Sequence, residues 1–249
     1  MAHLPWRRFH HEVVPSTNDL AFAALEAGEA RHGDTFIAAA QTAGRGTRGR
    51  TWESAIGGLY LSVVLRSESM PPPGAWTCAG ALAVHDLVTS AGAAAAIKWP
   101  NDVITTRGAK IAGVLAESRG LRADGPATFI LGVGLNVSGP GPSETLRAER
   151  AVTSLGELVP DLDLASVETE LVGALQRRTN EIGEDAARLY ADFFDRCALA
   201  GARVQVEGAE QRVEGTWTGL DPFLGLRIEE AGRARHLPVA HVRGVQPAP

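Results

Sequence analysis

The chain has little cysteine: two residues in 249, Cys78 and Cys197, far apart and without metal-type spacing. That excludes a disulfide framework and a thiolate metal site, and reads as two buried thiols in a reducing compartment. Behind Met1-Ala2-His3-Leu4-Pro5-Trp6-Arg7-Arg8 there is no hydrophobic signal core, and nowhere does an apolar run reach the roughly 20 residues that cross a bilayer. A membrane partner is thereby excluded and the cytoplasm is expected. A basic surplus is missing too: 24 Lys and Arg stand against 29 Asp and Glu, a formal net charge of -5. Wrapping nucleic acid needs a broad basic face, so only a local basic site is left open. His10-His11 has no Cys or further His at ligand spacing and reads as surface strand rather than metal site. No internal repeat is present.

What remains is an ordinary globular composition, 45% hydrophobic and 21% charged, long enough for one large domain or a large and a small one. Ser16-Thr17-Asn18-Asp19 before an alanine-rich stretch, with Gly28 after it, predicts a short helix. Residues 35–40 and 59–65 read as strands, residues 75–90 as a helix, and 96–99, 110–117 and 129–137 as neighbouring strands joined by short turns. Residues 138–150 read as a loop, and 164–182 and 185–197 as helices. From about residue 200 the texture changes to period-two alternation between Gly and Asp-Pro turns, which predicts a small antiparallel barrel with Trp217 and Phe223 as its core. The expected class is α+β: a mixed, mostly antiparallel sheet with flanking helices over 1–199, then a β module over 200–249.

The densest chemistry lies in Gln41-Thr42-Ala43-Gly44-Arg45-Gly46-Thr47-Arg48-Gly49-Arg50-Thr51-Trp52, where three glycines alternate with three arginines and a tryptophan follows. Glycine permits positive φ and close backbone approach, guanidinium forks match phosphate or carboxylate oxygens, and an indole can stack on a base. Taken alone, the segment is either a mobile anion clamp that orders on its ligand or a solvated basic loop. Elsewhere the residues leave similar pairs of readings. Ser16 and Asp19 have capping-box spacing. Lys110 opens an apolar strand, as a partly buried charge or with its ammonium in solvent. Asn101 and Asp102 follow Pro100 as turn formers, and Gly132 and Gly134 suit a closely packed or bulged strand. His85 falls on a helix as a solvated or satisfied edge residue.

Taken in order, Ser16-Thr17-Asn18, the 41–52 loop, Lys98-Trp99-Pro100-Asn101-Asp102, Lys110-Ile111-Ala112-Gly113-Val114-Leu115 and Gly132-Val133-Gly134-Leu135-Asn136-Val137 resemble the biotin-protein ligases. The resemblance covers nearly the whole chain. It implies a class II synthetase-like catalytic domain and a terminal SH3-like barrel. Bifunctional members carry a helix-turn-helix domain ahead of the Ser-Thr-Asn element; here about 15 residues precede it, too few for one, so no DNA partner is expected.

The implied activity is ATP-dependent: biotin and ATP give biotinyl-5'-AMP and pyrophosphate, and a lysine of a biotin carboxyl carrier protein then takes the biotinyl group. By the same resemblance Lys110, Arg45 and Asp102 are catalytic. Ser16, Thr17, Asn18, Gln41, Arg45, Gly46, Thr47, Lys110, Gly113, Gly132 and Gly134 take biotin. Arg48, Arg50, Trp52, Asn101 and Asn136 take ATP or the adenylate, Trp52 by packing on adenine. Asp102 holds Mg2+, directly or through water, or accepts the proton of the incoming lysine. One departure stands out: the family usually has arginine where this chain has Thr47, which implies looser retention of the intermediate. Two other readings stay open, a lipoate- or octanoate-protein ligase and a non-catalytic biotin sensor. The carrier is expected to present its lysine on a hairpin, docking on an exposed sheet edge that could also pair two subunits.

Overall fold

The computed structural model describes residues 6–119, 127–139, 142–209 and 211–249. The expected turn between the strands at 110–117 and 129–137, part of the Pro-Gly-Pro run and the first five residues lie largely outside them. The first half of the chain runs β1 (Arg8–Val14), α1 (Thr17–Glu26), β2 (Thr35–Gln41), β3 (Leu59–Ser67), α2 (Ala75–Ser90), β4 (Ala95–Lys98) and β5 (Asp102–Thr105). It continues through β6 (Lys110–Ser118), β7 (Ala127–Leu135), α3 (Glu144–Glu149), α4 (Leu164–Glu184) and α5 (Ala186–Asp195). Strands β8 (Arg203–Gly208), β9 (Arg212–Asp221), β10 (Gly225–Glu230), β11 (Arg233–Leu237) and β12 (Val242–Pro247) complete it.

Residues Leu59 to Leu65 of β3 are buried without a break, because both faces of the sheet are covered there. Side chains alternate sides along a strand. Leu61, Val63 and Leu65 join the large core shared with α2, whereas Val64 packs with Ala21, Phe22, Phe36 and Ile130 under α1. The sheet order is β1-β2-β3-β7-β6-β5-β4. Only β1 and β2 run parallel. Helix α2 sits close over β6 and β7: a Cβ at Gly80 would come within 2.8 Å of Val114 Cγ1. No helix among the described residues is long and apolar enough to cross a membrane.

The second sheet has order β11-β10-β9-β8-β12 and is antiparallel throughout. Its central aromatic is Trp217, 1% exposed, packed edge-on against Trp99 at 6.0 Å and Phe194 at 5.3 Å. Trp99 in turn meets Phe193 at 5.9 Å. Such pairs contribute about 0.5–1.5 kcal/mol each beyond their buried area. The two sheets therefore share one hydrophobic core.

Five expectations need correction. The strands read at 96–99 and 110–117 are not neighbours: Asp102–Thr105, read as part of the turn between them, forms β5 and pairs with both. Phe223 is not core: it is 74% exposed at the tip of the β9–β10 turn, where Asp221 Oδ1 accepts the amides of Phe223 and Leu224. Satisfying the turn through Asp221 leaves the ring outside. The segment read as loop contains α3, whose first turn is capped by the Ser143 hydroxyl accepting from Leu146 N. A short cap-driven helix has too little apolar periodicity to stand out. Ser16 is the N-cap of α1, yet its side chain makes no capping bond. The Thr17 amide goes instead to Gln41 Oε1 at 2.8 Å, and Asp19 turns to Arg45 at 3.0 Å, so the capping box does not form. His85 is not solvated: its side chain is 12% exposed, and Nδ1 is 3.9 Å from Asp86, too far for a hydrogen bond.

Candidate active site

Strand register assembles the site. Asp102 pairs with Gly113, Gly113 with Gly134 and Gly134 with Tyr60, which puts these residues in one cross-strand row. Two residues along, Leu115, Gly132 and Ser62 form the next row, and Glu117, Ile130 and Val64 the one after. Alternation keeps all three rows on the face that carries α1.

The glycines leave that floor open, and two side chains lie on it. A Cβ at Gly134 would come within 2.5 Å of the Trp52 indole, and one at Gly113 within 2.9 Å of it. A Cβ at Gly132 would meet Asn18 Oδ1 at 2.4 Å. Ser16, Thr17, Asn18, Gln41, Arg45, Gly46, Thr47, Arg50, Trp52, Asn101, Lys110, Gly113, Gly132, Gly134 and Asn136 all line one cleft. Of the residues expected at the site, Arg48 and Asp102 do not line it.

One end of the cleft is a polar network. Thr17 donates its amide and its hydroxyl to Gln41 Oε1, at 2.8 and 3.2 Å, and Gln41 Nε2 donates to Ser54 Oγ at 2.7 Å. The buried Ser62 hydroxyl lies against Thr17 Oγ1, at 2.7 Å, and against Asn18 Oδ1. Asn18 Nδ2 donates to Glu117 Oε2 at 2.6 Å. Arg45 pairs with the same carboxylate at 2.8 Å and with Asp19 at 3.0 Å, while its Nε is buried with no partner among the described residues. Sequence reasoning missed Ser62, Ser54 and Glu117. Glu117 did carry a signal, because Gly113, Leu115 and Glu117 follow the two-residue repeat of one strand face.

The other end is cationic. Lys110 Nζ lies 2.6 Å from Asp102 Oδ1 and 5.0 Å from the Trp52 ring centroid. Burial pushes the Lys110 ammonium below the ordinary lysine range; Asp102 works against that, and the charges of Arg50 and Arg150 add to it. Its backbone is pinned on both sides, Lys110 N donating to Ala151 O and Thr153 N donating to Lys110 O, each at 2.9 Å. Asn101 is buried in the turn before β5, with Nδ2 donating to Val114 O at 2.8 Å. Asn136 Nδ2 donates to Thr153 O at 3.0 Å. Among the described residues no three His, Cys, Asp or Glu side chains stand together to hold a metal unaided.

The Gly/Arg segment, expected to order on its ligand, is a hairpin with bonds of its own. Gln41 N donates to Ser54 O, Gly46 N to Arg50 O and Trp52 N to Gly44 O, at 3.1, 2.7 and 2.9 Å. It carries Arg45, Arg50 and Trp52 over the floor. Chemically, the cleft offers a polar end able to grip a hydrogen-bonding head group. A glycine floor under an indole follows, and then a half-buried lysine with arginines around it, suited to joining two anionic groups with much of the water excluded.

Known proteins match this arrangement. The sequence profile of the biotin/lipoate A/B protein ligase family matches residues 11–136. The biotin acetyl-CoA-carboxylase ligase of Mycobacterium tuberculosis is 34% identical over 240 residues, 92% of this chain and 85% of that protein. The biotin protein ligase of Aquifex aeolicus, solved in complex with biotin and ATP, superposes with a TM-score of 0.80 at 24% identity, covering 97% of this chain and 99% of the other. The biotin protein ligase of Leishmania major, solved with biotinyl-5-AMP, gives 0.59 at 25% identity over 94% and 99% of the two chains. By sequence and by architecture, the chain belongs to the biotin/lipoate A/B protein ligase family.

Proposed function

We propose that the chain is an ATP-dependent biotin-protein ligase that forms biotinyl-5'-AMP and passes the biotinyl group to a lysine of a biotin carboxyl carrier protein in the cytoplasm. The observation that carries this reading is the polarity of the cleft: a hydrogen-bonding network of Thr17, Asn18, Gln41 and Ser62 at one end, Lys110 with Arg50 at the other. Biotin has a ureido ring at one end and a carboxylate at the other. An octanoyl or lipoyl chain offers this network of Asn18, Gln41 and Ser62 no further hydrogen bond and would cover its polar surface with hydrocarbon, which costs desolvation without adding a partner. That weighs against the related acyl ligases.

In the first step a biotin carboxylate oxygen attacks the α-phosphorus of ATP, and the bond to the pyrophosphate leaving group breaks. Both reactants are anions. Lys110 and Arg50 supply the positive charge between them, and Arg45 would join them by turning from Glu117 and Asp19; Gly113 and Gly134 seat the Trp52 indole, Gly132 seats Asn18, and Gly46 and Thr47 border the ligand from the hairpin. Trp52 covers the junction, and Asn101 and Asn136 border the nucleotide side. In the second step the acceptor amine attacks the acyl carbon, AMP leaves, and the amine gives up a proton.

Asp102 has two proposed roles: taking that proton, or holding Mg2+. A single carboxylate beside the cleft fits a cation that draws most of its oxygens from phosphate and water. When bound, the ion would neutralise phosphate charge. For carrier docking, and for pairing with a second copy, β1 is the sheet edge we favour, since Ile97 in β4 is already bonded to Arg196 and Ala198. The test is pyrophosphate release with ATP and Mg2+, comparing biotin, lipoate and octanoate, with and without carrier. Biotin alone should support release, turning over repeatedly once carrier is added. Lys110→Ala should lower the first step by about 10²–10³-fold, as loss of a transition-state charge donor does. Release with lipoate or octanoate only would hand the pocket to the other acids, and biotin binding without any release would make the chain a sensor.

A further inference from the structure

The hairpin tip is the three-residue turn Thr47–Gly49, with Arg48 at φ 59°, ψ 38° and Gly49 at φ 71°. Two successive left-handed residues are the geometry of a two-residue hairpin turn, and the residues that favour it are Asn-Gly, Asp-Gly or Gly-Gly. Arginine at the first position is unfavourable locally, and such a conformation persists where the surroundings over-determine it. The surroundings here are the second sheet. Arg48 Nη2 donates to the main-chain oxygen of Arg243.

The acceptor is equally unusual. Pairing between β12 and β8 shifts register between Val242 and Gly244, so Arg243 is the extra residue of a bulge. Bulged residues drop out of the ladder, which frees their carbonyls to point elsewhere. Thr47 and Val239 also border a common cleft with Gly74 and Trp99, a second place where the tip lies close to the second module, here at the connection between β11 and β12. Arg48 itself is absent from the cleft that holds Arg45 and Arg50.

We propose that Arg48 is a positioning residue: it latches the hairpin that covers the cleft onto the β12 bulge, so that the second sheet sets how firmly the cover stays shut. The functional consequence rests on the ligase reading; the latch does not. Its test is amide hydrogen exchange of the ligand-free full chain carrying Arg48→Asn, a better turn residue without the guanidinium. The Gly46 and Trp52 amides should exchange at least about five-fold faster despite the improved turn, with the Trp217 amide unchanged. Equal or slower exchange at Gly46 and Trp52 overturns the latch. If Trp217 also loosens, Arg48→Lys decides: it keeps a donor at the tip and should restore much of the protection, and no restoration overturns the proposal. In turnover, bound adenylate should escape several-fold faster from Arg48→Asn when no acceptor is present. A slower first step with retention unaltered would put the guanidinium on the phosphates and overturn it. A chain that makes no adenylate at all would sink the ligase reading while leaving the exchange result to judge the latch.

Discussion

Lys110 shows how much a single residue type can say. The chain has just two lysines, Lys98 and Lys110, among 24 basic side chains. Lys98 is exposed, so the half-buried amine is Lys110, a compact charge that responds to its surroundings where guanidinium would not. That scarcity was available in the sequence; the 2.6 Å approach of Asp102 was not, because it depends on β5 and β6 coming into register. Thr47 is the complementary case. It lines the cleft, and its hydroxyl accepts from Arg50 Nη2 at 3.1 Å, so a neutral residue stands where a further guanidinium could face the intermediate. Thr47→Arg should add one charge-assisted contact, worth about 1.5–3 kcal/mol, and slow dissociation of biotinyl-AMP by about ten-fold or more. A chase with unlabelled biotin in the absence of carrier measures that rate; no change would mean that Thr47 has no part in retention.

At the scale of elements, the strong periodicities were legible and the polar choices were not. The span of α2 is the one its apolar spacing predicts, and β2, β3, β6 and β7 fall within two residues of expectation. Edge and cap choices escaped, because Thr17 and Asp19 have partners more than twenty residues away that no local pattern reveals. The cluster joining α2, α4 and α5 escaped for the same reason. Arg178 on α4 bonds Asp86 of α2 at 2.8 Å, Asp192 of α5 at 2.9 Å and Glu181 one turn along at 2.9 Å. Burial alone would raise the Asp86 carboxyl; contact with Arg178, nearby His85 and the charge of Arg196 hold it at about 2 against an ordinary 3.8. A depressed carboxylate contributes stability that is complete above the ordinary value and lost as pH falls through the folded one. For Asp86 that is about 2 kcal/mol, present at pH 5 and fading between pH 4 and pH 2. Urea unfolding should therefore find Asp86→Asn less stable than the parent by about that amount at pH 5, with the gap narrowing toward pH 2. A gap of constant size across that range would show that the ion pair is not what Asp86 contributes.

At the scale of the molecule, the change of texture near residue 200 marked where the second sheet begins but not how it is attached. Its attachment is Trp217, which shares an aromatic cluster with Trp99 and Phe194, and Trp99 belongs to the turn that leads into Asn101 and Asp102. We therefore treat residues 200–249 as a module in sequence and topology but not in stability. Removing a buried aromatic of this size costs about 3–5 kcal/mol through lost burial and the cavity left behind. With one continuous core, that loss should fall on a single cooperative transition and lower its midpoint by about 10 °C, given about 2–4 °C per kcal/mol for a chain of this length. Calorimetry of Trp217→Ala should show one peak moved down, with ellipticity of the helices and near-ultraviolet signals of the sheets melting together. A variant whose second sheet melts first, leaving α2, α4 and α5 at the parent's midpoint, would mean that the two sheets fold independently. The latch at Arg48 would then be the stronger of the couplings between the module and the cover of the cleft.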